Sequence, residues 1–290
     1  MSISSTREYR RSVVLILVGG ALLSLLGIGI RLIDHADSLQ IVFYRSIAQA
    51  GVLLSAVFWL NRRDIKRPLL NLGAKGVTAS ITLGAAGLFM ILSIRHTTVA
   101  NAVVVIALAP LCSALLGWWW LREHVSTLTR QAMLIAFVGI VLVCWEGLNS
   151  GGLLGIGYAF VMMTLYSISL VILRSQRQAD MLLVCGLSGV VLAVGVAPWL
   201  SSFTVSAGDL LICTLLGVFQ IGLGMVLITK GTAHVPAAQV SLLALSEVVL
   251  SPLWVWLFVD ETPGLLSLVG GAIVLFAISW QALKGGKRTV

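Results

Sequence analysis

Residues 107–123 read ALAPLCSALLGWWWLRE, and residues 245–261 read LSEVVLSPLWVWLFVDE. Slid by 138 positions, the two stretches align without a gap. Ser113 meets Ser251, Leu115 meets Leu253, Trp118 meets Trp256 and Glu123 meets Glu261. A Leu or Ala match carries little weight in so apolar a chain, whereas Trp on Trp and Glu on Glu at one offset carry more. The register extends outward. Gly19 meets Gly157, Ala21 meets Ala159, Ile30 meets Ile168 and Gly84 meets Gly222. His96 meets His234, Ala100 meets Ala238, and Ile135 and Ile140 meet Ile273 and Ile278. The chain is a tandem repeat, and its fold follows from the unit repeated.

That unit is built for lipid. Of 290 residues, 59% are hydrophobic and 10% charged, against about 25% charged in a soluble domain. Mean hydropathy is +1.04. Leu, Val and Ile dominate, so the low charge does not signal disorder. A soluble globule, a fibre and a disulfide-rich secreted module are excluded. Apolar runs near 12–33, 39–60, 73–94, 98–120, 129–146, 152–173, 181–200, 208–229, 236–258 and 264–283 predict ten spans of about 20 residues each. Short polar pauses separate them, such as Asn61-Arg62-Arg63-Asp64, Asn149-Ser150-Gly151-Gly152 and Thr262-Pro263-Gly264. Backbone groups in hydrocarbon must bond internally, and no alternating barrel pattern is present, so the spans are helices. Arg7, Arg10 and Arg11 precede the first apolar run without a small-x-small cleavage site after it, which predicts an uncleaved first span. The expected class is an all-α integral membrane protein of ten transmembrane helices.

The net charge of +8 would suggest nucleic acid in a soluble protein. Here the basic residues sit at span ends, which predicts orientation rather than a nucleic-acid partner. With the N-terminus inside, Lys and Arg fall 16 inside to 2 outside, and Arg45 lies within a span. Both termini are therefore expected in the cytoplasm. Each half, 1–146 and 147–290, holds five spans. Five is odd, so the second half must be inverted relative to the first. Glu123 then lies at the inner face and Glu261 at the outer. Inverted repeats suit secondary transport, because two similar halves can exchange conformations around a site near the midplane. A duplication without such mechanics is the bland alternative.

Ten spans, a five-plus-five inverted repeat and a Pro-containing fourth span ending in Glu resemble the drug/metabolite transporter superfamily, EamA type. The carrying residues run from Ala107-Leu108-Ala109-Pro110 to Leu121-Arg122-Glu123, and from Leu245-Ser246-Glu247-Val248 to Val259-Asp260-Glu261. Where the family's second copy often reads Glu-Pro, Glu247 is followed by Val248 and the proline comes at Pro252. The resemblance implies small-molecule transport, with aromatic amino acid exporters the nearest kind, in the cell inner (plasma) membrane. It also implies that spans five and ten are peripheral. Spans three, four, eight and nine carry the matched Gly, amide and Glu positions and are expected to form most of the cavity wall.

Charge inside a bilayer costs about 2.5–3.5 kcal/mol at a span centre on insertion scales. Glu247 lies mid-span and Arg45 a turn and a half inside span two. Glu247 reads as a ligand for a substrate amine or as a proton carrier; a structural hydrogen bond or ion pair is the alternative for both. Asn101 and Gln239 share the 138 offset and put an amide at the start of each fourth span. Gln220, Gln49, Ser24, Thr82 and Ser241 are also embedded. Amides donate and accept, which suits a zwitterion, but helix-to-helix bonding is the commoner use of any one. Tyr44, Phe89, Tyr158 and Tyr166 are candidate stacking partners, while most Trp residues fall at span ends, where interfacial belts place them. His96 and His234 read as interfacial caps. Gly84, Gly87, Gly222 and Gly224 are candidate hinges. Pro110 and Pro252 each remove a backbone hydrogen bond and are expected to kink their helices. Cys185, Gly189, Ala193 and Ala197 repeat every four residues and predict a close-packing face on span seven.

No Walker loop, zinc-helix motif or Cys-x-x-Cys occurs, and Cys112, Cys144, Cys185 and Cys213 lie singly in apolar runs. No metal, cofactor or enzyme activity is expected. The expected partners are a small-molecule substrate and the lipid bilayer, for a monomer or homodimer. A membrane-embedded enzyme acting on a lipid or isoprenoid substrate is the competing class; it would need clustered carboxylates or a basic phosphate-binding face.

Overall fold

The structure, a computed structural model, describes residues 3–62, 66–122, 127–149, 152–176, 180–232, 235 and 237–285. Those residues form ten helical rods. They are α1 (Glu8–Arg31), α2 (Ser38–Leu60), α3 (Pro68–His96), α4 (Val99–Leu121) and α5 (Thr127–Gly147) in the first half. The second half holds α6 (Leu153–Ser175), α7 (Met181–Trp199), α8 (Ala207–Gly231), α9 (Ala237–Val259) and α10 (Leu265–Gly285). The observed bounds sit within several residues of the apolar runs.

Local chemistry sets the ends. Asp37 caps α2 through its side chain, with Gln40 reaching back to close the box. Thr98, Asp180 and Ser206 cap α4, α7 and α8 in the same manner. Gly73, at φ 54° and ψ −179°, breaks α3 near its start, a left-handed backbone that favours glycine. Gln176 Nε2 donates to Asn71 O at 2.6 Å and Leu72 O at 2.9 Å, satisfying carbonyls just before that break.

Two rods break as their sequences direct. Rod α4 consists of Val99–Ala107 and Ala109–Leu121, joined at Leu108, with Pro110 in the first turn of the second piece. Pro lacks the N–H that would continue the ladder, and it is tolerated where that donor is unneeded. Rod α8 contains a π-helical stretch, Leu216–Leu223, between two α-helical pieces. Pro252, by contrast, sits inside a helix that runs unbroken from Ala237 to Val259. The expected kink is thus expressed as a break at Pro110 only.

Packing carries the repeat. Rod α3 packs on α6 and α1 on α8; α3 packs on α7 and α2 on α8; α4 packs on α6 and α1 on α9. Exchanging the halves converts each pair into the other, while the contacts α2–α7 and α5–α10 map onto themselves. The backbone repeats as well: the non-glycine residues with positive φ are Arg122 (56°) and Asp260 (54°) among those described, and they stand 138 positions apart. Each ends its fourth rod one residue before the matched glutamate. Small residues permit the closest crossings. A Cβ on Gly139 would fall 2.6 Å from Gly270 O, and one on Gly270 would fall 2.5 Å from Gly139 O. A Cβ on Gly189, on the predicted small-residue face of α7, would fall 2.8 Å from Ser46 O.

The outside of the bundle is apolar, and polar side chains are buried among the apolar ones inside. Leu134, Phe137, Trp119, Trp199 and Leu265 are exposed, whereas Arg45, Ser46, Gln49, Gln220 and Ser188 are buried. A soluble protein reverses that order. The face opposite the termini is laced by polar contacts. Arg31 Nε donates to Glu261 Oε2 at 2.6 Å and Arg31 Nη2 to Thr97 O at 2.6 Å, while Val99 N donates to Glu261 Oε1 at 2.7 Å. Asp209 accepts from the backbone N–H groups of His35 at 3.2 Å and Ala36 at 2.9 Å.

Candidate functional site

A cavity of about 200 Å³ lies in the middle of the bundle. Its floor and walls come from eight rods. Rods α2, α3, α7 and α8 contribute most of the lining, while α4 supplies Ile106 and α9 supplies Glu247. Rods α5 and α10 are absent from it, as expected. The expectation that α4 and α9 form much of the wall is corrected: α4 packs on α6 and α9 on α1, and each presents one side chain to the cavity. Met181, the first residue of α7, reaches the cavity from the side of the termini.

Both intramembrane charges line this cavity. Arg45 is 4% exposed, and its Nη2 donates to Gln220 Oε1 at 3.2 Å. Gln220 sits in the π-helical stretch of α8, and its Nε2 donates to Leu23 O at 3.0 Å. The wider turn pushes this residue out of register with the helix on either side, a device found at functional sites. Gln49 donates to Cys185 O at 2.9 Å and Ser188 Oγ at 3.3 Å, tying α2 to α7 beside the cavity. Glu247 is half-buried and lines the cavity, and no described residue offers its carboxylate a hydrogen bond or ion pair. Tyr166 lines the same space with Met90, Met162 and Met225.

Of the predicted site residues, Glu247, Arg45, Gln220 and Tyr166 are brought together, with Gly84 and Gly87 on the wall. Others are not. Asn101 lies near the opposite face, accepting from Ser267 Oγ at 2.5 Å and donating to Thr97 Oγ1 at 3.2 Å. It joins α4 to α10, the helix-bonding alternative. The side chains of Gln239 and Ser241 lie outside the described residues, as do Glu123 and His234. Ser24 accepts from Trp254 Nε1 at 2.8 Å and donates to Ala21 O at 2.7 Å, so it is engaged before any solute arrives. Tyr44 donates to Phe203 O near the opposite face. Phe89 packs 5.9 Å from the Tyr158 ring, whose other neighbour is His96. Thr82 bonds its own helix backbone at Thr78 and Ala79.

The proposed hinges are crowded positions. A Cβ at Gly84 would lie 2.9 Å from Ser188 O, and one at Gly87 would meet Leu192 at 3.3 Å. At Gly222 it would lie 2.8 Å from Gly217 O, and at Gly224 it would be 3.2 Å from Leu23. Gly84 and Gly87 let α3 and α7 cross at the cavity wall.

The methionines and Ser188 escaped the sequence reading. Four of the seven methionines line the cavity. Their concentration in four different spans was the available signal, but in an apolar run Met reads as another lipid-compatible residue. A larger hollow of about 520 Å³ between α4, α9 and α10 has no charged lining residue, and Val249, Trp256 and Leu268 on its wall are exposed on the outside of the bundle. The central cavity is the one with chemistry.

Ten apolar helices in two matched halves around a central cavity that holds Arg45, Gln220 and Glu247 have the architecture of a transporter-type membrane protein. A family model agrees: the EamA-like transporter family matches residues 10–145 and again 153–281, so the chain belongs to that family, a drug/metabolite-type transporter of small molecules. A search of curated proteins finds no match. One solved structure, described as a crystal structure of a protein, is 17% identical with a TM-score of 0.65, covering 96% of this chain and 99% of that one. That likeness is one of fold.

Proposed function

We propose that the chain exports amino acids, most readily those with apolar or aromatic side chains, across the cytoplasmic (inner) membrane by alternating access, with both termini in the cytoplasm. One observation carries this reading: the unpaired Glu247 carboxylate shares a small central cavity with Arg45, Gln220 and Tyr166. Ligand pockets for drug-sized molecules run to roughly 300–1,000 Å³. At about 200 Å³ this one suits a single small metabolite. A lone carboxylate at membrane depth is expensive, so the position is best explained by a cationic group or proton that visits it. The Lys and Arg distribution supports the orientation, and the polar contacts of Arg31, Glu261 and Asp209 support a form closed on the face away from the termini.

The test is counterflow in proteoliposomes. Vesicles preloaded with L-phenylalanine should accumulate the labelled amino acid only when the protein is present, and Glu247→Gln at matched density should slow uptake at least tenfold. Uptake equal to protein-free vesicles, for L-phenylalanine and for a panel of other amino acids, would overturn the reading.

A further inference from the structure

The two charges of the central cavity do not neutralise each other. Arg45 on α2 and Glu247 on α9 both line it, and no ion pair within 4.0 Å joins them. A guanidinium carries five N–H donors in a rigid fork. Arg45 commits one of them to Gln220 Oε1, and its buried Nε has no partner. Gln220 is itself held by Leu23 O, so its oxygen is fixed toward Arg45 and orients the guanidinium. A nine-tenths-buried cation with an unpartnered donor on a cavity wall calls for an acceptor, since buried charges are normally paired and hydrogen-bonded.

The geometry points to Arg45, positioned by Gln220, as the carboxylate-binding end of the cavity, with Glu247 receiving the ammonium of the same solute. This rests on the transport reading above and adds which side chain holds each charged end of the amino acid. A carboxylate accepts two parallel N–H bonds from a guanidinium, which a lysine could not supply. Charge balance selects the zwitterion. A simple amine would leave Arg45 uncompensated in a low-dielectric space, and a simple acid would leave Glu247 so. Met90, Met162, Met225 and Tyr166 then face the side chain. Thioethers adapt to varied apolar shapes, so selectivity resides at the charged end.

Three ligands with the same ring test this on the purified full-length chain: L-phenylalanine, phenethylamine, which lacks the carboxylate, and 3-phenylpropionate, which lacks the ammonium. Displacement of labelled L-phenylalanine in equilibrium dialysis gives each affinity. The parent protein should bind L-phenylalanine at least tenfold more tightly than either analogue, the scale of one charge-assisted hydrogen bond. Arg45→Gln should weaken L-phenylalanine tenfold or more and leave phenethylamine within twofold. Glu247→Gln should spare 3-phenylpropionate instead, and Arg45→Lys should restore part of the loss. Phenethylamine binding as tightly as L-phenylalanine to the parent would overturn the assignment without recourse to any variant. So would an Arg45→Gln protein that loses all three equally, or a parent that binds none. The two readings fail separately. Selective binding without counterflow leaves the site and removes transport, whereas counterflow without discrimination leaves transport and removes the site.

Discussion

Single residues divide according to how loudly they speak in sequence. Arg45 and Glu247 were legible because charge inside an apolar run is costly and rare. Both lie at the cavity. Asn101 was legible as polar but not as to role, because an amide at a span end serves a solute or a neighbouring helix equally well. Its bonds to Ser267 and Thr97 favour the neighbour. Measured interhelical hydrogen bonds in membranes average about 0.6 kcal/mol and reach about 1.7. Asn101→Leu should therefore lower stability by about 1 kcal/mol in detergent unfolding, with the surviving protein transporting at the parental rate. A tenfold loss of transport with stability unchanged would return Asn101 to the site. Ser188 and the cavity methionines were silent for a physical reason: serine hydrogen-bonds its own helix, and methionine is as apolar as the lipid-facing residues beside it.

At the scale of elements, helix number and ends were read from the hydrophobic runs, and the inner faces were not. Hydropathy finds a span, but which face turns inward depends on small residues whose meaning is set by the partner helix. Gly84 illustrates this. Its site for a side chain is 2.9 Å from the backbone oxygen of Ser188, which cannot move aside as a flexible side chain can. Gly84→Val should separate α3 from α7 and cost about 1–3 kcal/mol, the usual scale of overpacking. A lowered midpoint in thermal unfolding of the detergent-purified protein checks it, and an unchanged midpoint contradicts it. The π-helical stretch around Gln220 was equally hidden, since no residue type specifies it. The contacts of Glu261 at the face away from the termini give a second test. Glu261 joins Arg31 of α1 to the first amide of α4. Glu261→Ala should speed hydrogen exchange of residues 97–101 about tenfold, given the worth of a hydrogen bond to a charged group. Exchange no faster there than in the rest of the chain would show that the contact does not hold that face.

For the whole molecule, the repeat was legible because Trp, His and Glu matches share one offset, and the odd span count then forces inversion. The structure adds pairings that exchange with the halves and the twin left-handed residues Arg122 and Asp260. The cavity's composition was not legible, because it draws side chains from eight rods that only the folded arrangement brings together. Orientation rests on the Lys and Arg count, so a cysteine placed within 149–152 should react with an impermeant maleimide from outside intact cells, and one at Arg63 should not. The central claim is that one cavity opens alternately to the two sides of the membrane. Ser188 faces that cavity from α7 and carries no charge. In a background with the four native cysteines replaced by alanine, Ser188→Cys can be exposed to an impermeant maleimide on either side of sealed vesicles. The account predicts reaction from both sides, slowed from both by saturating L-phenylalanine. Reaction confined to one side, or indifferent to the amino acid, would contradict it.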